Sequence, residues 1–214
     1  MFRVFIGLFA GVGAAHLVFL SIGKDIPRNI TKICLLPLLA GAYVFGTKNI
    51  SAPVILALVF GWGGDLFLFK IRDMKFFRLG LGSFLAGHLC YIISFISFTN
   101  ALHTIALVVS IAVGGPLMFI VYSIIKPKKE MHLPVIVYEI IIMLMSLSAL
   151  QLMFSQRDGY GLLVFAGSLC FLFSDTLLAY SNFRIRPKYA SLFIMFSYIA
   201  AQSTIVLGLI GSGS

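Results

Sequence analysis

Eight stretches of mainly apolar residues, parted only by short polar connections, take up nearly all of this 214-residue chain. Each is close to the roughly 20 residues a helix needs to cross a bilayer. Bounded by charge, Pro and Gly, they fall near 2–22, 30–47, 51–69, 79–99, 102–125, 133–153, 160–180 and 190–210. The expected fold is therefore all-α and polytopic, eight transmembrane helices in a single domain over 1–214. A soluble enzyme is excluded, because 60% of the residues are hydrophobic and only 11% charged, against about a quarter charged in an ordinary globular domain. A net charge of +9 would elsewhere suggest nucleic acid, but here it reflects 7 acids against 16 Lys and Arg, with the bases set between apolar runs. The expected partner is the bilayer, not nucleic acid. Cys34, Cys90 and Cys170 lie far apart inside apolar segments, so neither a disulfide framework nor a zinc site is expected. The first run has no basic residue but Arg3 and no obvious cleavage site, and reads as a retained span.

Charge orients the spans. The connections after spans one, three, five and seven hold Lys24, Arg28, Lys32, Lys70, Arg72, Lys75, Arg78, Lys126, Lys128, Lys129, Arg184, Arg186 and Lys188. The other face holds Arg3, Lys48 and Arg157. Thirteen against three puts the basic loops in the cytoplasm and both termini outside, in the inner membrane if the cell is bacterial. Connections this short make neighbouring helices antiparallel.

An ionisable group in hydrocarbon is costly, about +2.5–3.5 kcal/mol for an Asp at a helix centre on the insertion scale. Three of the seven acids nevertheless fall inside spans: Asp65, Glu139 and Asp175. His88 and Tyr91 share a face of the fourth span, Tyr198 and Gln202 a face of the eighth, and Lys32 opens the second. At 1.5 Å per residue from the basic loops, Asp65, Asp175 and Tyr138 lie roughly 7–9 Å deep and His88 and Tyr198 about 12 Å. Only Gln202 nears the midplane. Odd spans descend towards the basic loops and even spans rise from them, yet these groups share one leaflet, which points to a pocket open there. A lone intramembrane Asp is otherwise a hydrogen-bond node between helices. For Glu139 a surface pair with Lys128 or Lys129 is the competing reading, and His16, His103 and His132 read as structural or loop residues. Gly61, Gly63, Gly64, Gly82 and Gly87 are expected to let helices pack closely.

The two halves echo each other. Gly64-Asp65-Leu66-Phe67-Leu68 is matched by Ser174-Asp175-Thr176-Leu177-Leu178, 110 residues on, and His88 and Tyr198 each follow their Asp by 23 residues. A four-plus-four parallel repeat would set the two acids facing each other.

Lys32 with Pro37, GGDLFLF at 63–69, GSFLAGHLCY at 82–91, VY at 137–138, GSLCFLFSDTLLA at 167–179 and YIAAQ at 198–202 form an ordered set. In it the chain resembles the YhhN-like lysoplasmalogenases, from the second span to the eighth. The resemblance implies an eight-span hydrolase whose substrate is a lysophospholipid, lysoplasmalogen. Cleavage of its sn-1 vinyl ether gives a fatty aldehyde and a glycerophospho-choline or -ethanolamine. That chemistry needs a proton donor to carbon, a base for water and negative charge near an oxocarbenium ion, and no cofactor or metal. Asp65 and Asp175 are the candidates for acid and base, with His88 orienting or sharing the proton. Lys32, Tyr91, Tyr138, Ser174, Tyr198 and Gln202 are the candidate binding residues, and the basic loops would draw the lipid phosphate. The rival expectation is a proton-coupled lipid or small-molecule transporter, since intramembrane acids and repeats are common there. Against it, no Gly/Pro-broken pair of helices stands at matching places in the halves, although Gly114-Gly115-Pro116 could break the fifth span. A non-enzymatic lipid-binding or scaffold protein fits the clustered acids less well.

Overall fold

A computed structural model describes residues 1–156 and 159–213; Arg157, counted above on the sparsely charged face, lies outside them. Among the described residues there is no strand, and eight helices are long and apolar enough to cross a membrane. In order they are α1 (Phe2–Ser21), α2 (Asp25–Gly46), α3 (Ala52–Phe67) with a 3-10 turn to Lys70, and α4 (Met74–Ser97). The fifth span is α5 (Thr104–Val109), a π-helical turn (Ser110–Gly114) and α6 (Gly115–Ile125). Then come α7 (His132–Ser155), α8 (Tyr160–Phe183) and α9 (Ala190–Ser212). Backbone groups in hydrocarbon must be paired within the chain, which overrides the weak helix propensity of so many Ile, Val and Phe residues.

Two helices start earlier than charge alone suggested, α2 at Asp25 and α4 at Met74. Charge ends the apolar stretch but not the helix. Pro27 falls in the first turn of α2, where its missing N–H would have had no intrahelical partner, and Arg28 pairs with Asp25 at 2.7 Å.

The chain divides into two compact units, one ending at Ser94 and the other running from Phe95 to Ser212. In the first, α2 packs on α1 and α3. His16 is buried in α1, its Nδ1 3.0 Å from Thr31 Oγ1 and 3.1 Å from the Arg28 carbonyl, the structural role expected of it. Pro37, inside α2, cannot donate to the carbonyl four residues back, that of Ile33. The indole N–H of Trp62, the chain's only Trp, donates to that carbonyl at 3.0 Å. One residue's missing donor is thus supplied by the neighbouring helix, which fixes the register of α3 on α2. Trp62→Phe keeps an aromatic ring of smaller size but leaves the Ile33 oxygen without this donor. It should lower the unfolding free energy by about 1–3 kcal/mol, read as a lower melting temperature in detergent. An unchanged melting point would mean that the Pro37 gap is closed some other way.

Glycines bring α3 and α4 together. A Cβ on Gly87 would stand 3.2 Å from the Ala57 carbonyl and 3.7 Å from the Gly61 nitrogen. Ser83 donates to the Phe60 carbonyl at 2.6 Å across the same seam. Gly82 does not share in it: nothing lies within 4 Å of where its Cβ would be, because it points away from α3.

In the second unit α8 packs on α7 and, most extensively, on α9. Gly167 faces the Ala201 carbonyl at 2.9 Å from its would-be Cβ, so this approach excludes any larger residue. The fifth span lies against α7 and α8. Its start is held by Gln151 of α7, whose side-chain amide accepts from His103 N at 2.8 Å and donates to His103 O at 3.1 Å. His103 thereby sits at the start of a helix. The ring of His132 contacts the Pro127 carbonyl at 2.7 Å.

Candidate functional site

In the first unit Asp65 is buried two residues before the end of α3. Trp62 and Asp65 are three apart and share a face of α3. The bond that seats Trp62 on α2 therefore also turns Asp65 towards α2. There Lys32 meets it, Nζ to Oδ1 at 3.1 Å, with the lysine side chain 15% exposed and the aspartate 3%. The ammonium also lies 5.7 Å from the centre of the Phe69 ring. A buried carboxylate is thus compensated, as such groups must be. Sequence reading named both residues without foreseeing that Lys32 would be the ion-pair partner of Asp65. Lys32 with Pro37 was the available sign, since it is Pro37 that brings α3 into register. His88 and Tyr91 are both buried in α4, three residues apart on one face.

In the second unit Asp175 of α8 accepts a hydrogen bond on Oδ2 from the Tyr138 hydroxyl of α7. Ser174, beside it, donates to the Ile194 carbonyl of α9 at 3.1 Å. The hydroxyl proposed for substrate is thus engaged in bracing α8 against α9. Tyr198 of α9 packs edge-on against Phe171, ring centres 5.6 Å apart, and Phe171 is one turn before Asp175. Gln202, one turn beyond Tyr198, is buried. Asp175 is therefore fixed on a helix held from both sides, by Tyr138 of α7 and by the Ser174 and Phe171 contacts to α9.

Glu139 corrects an expectation. It is only 8% exposed, and its Oε1 has no hydrogen-bond partner. A solvent-exposed pair with the lysines of the 126–129 connection is not what the structure shows. The ground for that alternative is the nearness of Lys128 and Lys129 along the chain. Counting could not tell that its face of α7 is covered by neighbouring helices. Among the described residues, no three His, Cys, Asp or Glu side chains lie close enough together to hold a metal ion.

Residues 28–209 match the YhhN family, the lysoplasmalogenase family, so the chain belongs to it. No curated protein and no solved structure matches the chain.

Proposed function

From membership of the YhhN family, we propose that this membrane protein is a lysoplasmalogenase, hydrolysing the sn-1 vinyl ether of lysoplasmalogen. The observation that carries the reading is that each intramembrane aspartate is fixed by a specific donor, Asp65 by Lys32 and Asp175 by Tyr138. The two donors hold two carboxyls in fixed positions, as acid–base work on a vinyl ether in this family would need. A transporter reading would call for matched broken helices. The fifth span is interrupted by its π-turn, but the first span, its counterpart in the repeat, is one continuous helix.

The roles follow from the chemistry. An ion pair requires the carboxylate form, so we assign Asp65 as the anion and base, which leaves the role of proton donor to Asp175. Asp175 gives its proton to the β carbon of the vinyl ether, and the double bond's electrons form the new C–H bond. The cation left on the α carbon is shared with the ether oxygen and stabilised by the Asp65 carboxylate. Water adds to that carbon and yields a proton to Asp65. The hemiacetal then collapses to aldehyde as Asp65 passes its proton to the glycerol oxygen, the proton released by the hemiacetal hydroxyl returns by way of solvent to Asp175, and the net reaction consumes one water. Tyr138 orients the Asp175 carboxyl through Oδ2. His88 orients a carboxyl, and Tyr91, Tyr198 and Gln202 hold water and the glycerol oxygens. The basic connections, on the cytoplasmic face by charge bias, draw the lipid phosphate to the helix ends nearest the two acids.

Purified protein should release fatty aldehyde from the 1-alkenyl lysolipid and leave the saturated 1-alkyl analogue intact, because an alkyl ether has no carbon to protonate. Cleavage of the 1-acyl lysolipid at an equal rate would identify an ordinary lysophospholipase and defeat this mechanism.

A further inference from the structure

The second unit contains a cleft-like cavity of about 400 Å³ between the fifth span, α7 and α8, open on the side where Ile111, Val113 and Leu169 of its lining are exposed. Its walls include Val109, Gly114 and Met118 from the fifth span, Met143 and Ser146 from α7, and Leu172 from α8. Pro116 explains why the space exists. A proline there lacks an N–H and its ring would strike the carbonyl four residues back. The chain relieves this with the π-turn at Ser110–Gly114, and the glycine that ends the turn leaves a side-chain-sized gap in the wall. Such π-turns are frequent at functional sites.

The position and polarity of the cavity define its occupant. On α8 the lining residue Leu172 is one turn from Asp175, on the same face. On α7 the lining residues Met143, Ser146 and Leu150 continue the face that carries Glu139. Asp175 and Glu139 thus each lie one turn from a lining residue, on the side towards the basic loops, and Glu139 Oε1 has no hydrogen-bond partner. Above that, Ser110 and Ser146 are the only polar residues of its lining among the described residues, and Ser110 already donates to the Ala106 carbonyl. From Ile140 to Leu150, both in the lining, the helix rises on the order of 15 Å. That is about half of the ~30 Å hydrocarbon core, the depth of one leaflet. A slot of one chain's length, polar at the end towards the basic loops and apolar beyond, fits an amphiphile with a single chain.

The geometry points to this cavity as the seat of the substrate's single hydrocarbon chain, with the polar end of the lysolipid at Glu139 and the Tyr138–Asp175 pair. The assignment rests on the lysoplasmalogenase reading for the identity of the head. It goes further in naming where the chain lies and what limits its length. Gly114 is the control point, because a Cβ there would meet only the Met143 sulfur, at 3.8 Å. A larger side chain can therefore grow into the cavity without pushing the helices apart.

Two experiments test it, one of them independent of turnover. Gly114→Leu should lower kcat/KM for octadecenyl lysoplasmalogen by about tenfold or more, the scale on which apolar pockets discriminate chain volume, while sparing the octenyl substrate. Ser146→Leu, which fills the same slot from α7, should act in the same direction. If both variants slow the long and the short substrate equally, the chain lies elsewhere. The second uses a non-hydrolysable 1-alkyl lysolipid with a diazirine at the chain end, photolysed in bilayer nanodiscs with the intact protein. Adducts should concentrate within 109–118 and 143–150 and fall in Gly114→Leu. Adducts spread over the lipid-facing surface and unaffected by Gly114→Leu would show only surrounding lipid and overturn the assignment. Cavity labelling without aldehyde release would overturn the hydrolase reading and keep the chain site. Aldehyde release with labelling elsewhere would do the reverse.

Discussion

Asp175→Asn should lower the rate of vinyl-ether cleavage by about 10²–10⁴-fold, the usual worth of a positioned acid or base, without a matching loss of stability. Asparagine is nearly the same shape, and its carbonyl oxygen can still accept the Tyr138 hydrogen bond that Asp175 Oδ2 accepts. A residue that merely ties α8 to α7 would tolerate the change. Tyr138→Phe, which removes the donor and keeps the carboxyl, should cost less than Asp175→Asn. Adding Asp65→Asn to Asp175→Asn should do little further harm, because residues acting in one reaction do not contribute additively. Independent, multiplying losses from the two positions would separate their roles. A near-normal rate in Asp175→Asn, with melting unchanged, would remove it from the chemistry.

The second large effect is on stability, at Lys32. Removing one partner of a buried ion pair leaves the other charge uncompensated, at a cost of about 3–5 kcal/mol, whereas replacing both is often close to neutral. Lys32→Met should therefore lower the melting temperature strongly, because it removes the cation that Asp65 Oδ1 now meets at 3.1 Å. The pair Lys32→Met with Asp65→Asn should recover most of that stability and none of the activity. For the same reason Asp65→Asn alone confounds a lost carboxylate with a stranded ammonium, and its activity is best read against the double variant. Should Lys32→Met melt like wild type, the pair is not a coupled buried interaction. Should the double variant recover turnover, Asp65 is not the base.

The spans were legible because apolar length is set by the bilayer and little else. Their ends at α2 and α4 were not, since charged residues leave the hydrocarbon without leaving the helix. Asp65, Asp175 and Tyr138 could be placed at one depth by counting, which is a property of distance along a helix. Their partners could not, because partner choice depends on rotation about the axis and on register between helices. The Trp62 bond to Ile33 shows how that register arises: it follows from a proline on one helix and an indole on another, 25 positions apart in the sequence. The face of Gly82 and the choice between the two readings of Glu139 were not legible for one reason, that spacing gives the face of a helix but not what covers it. Gly114-Gly115-Pro116 did mark a break in the fifth span. That the break takes the form of a π-turn beside a chain-length cavity needed the positions of α7 and α8.

The most direct test of the central claim is to run the reaction in D2O with 1-alkenyl lysolipid and trap the aldehyde at once as its hydrazone. Protonation at carbon predicts aldehyde carrying one deuterium on the carbon next to the carbonyl, formed by wild type and not by Asp175→Asn. Aldehyde without that deuterium, or none above the Asp175→Asn background, would contradict it.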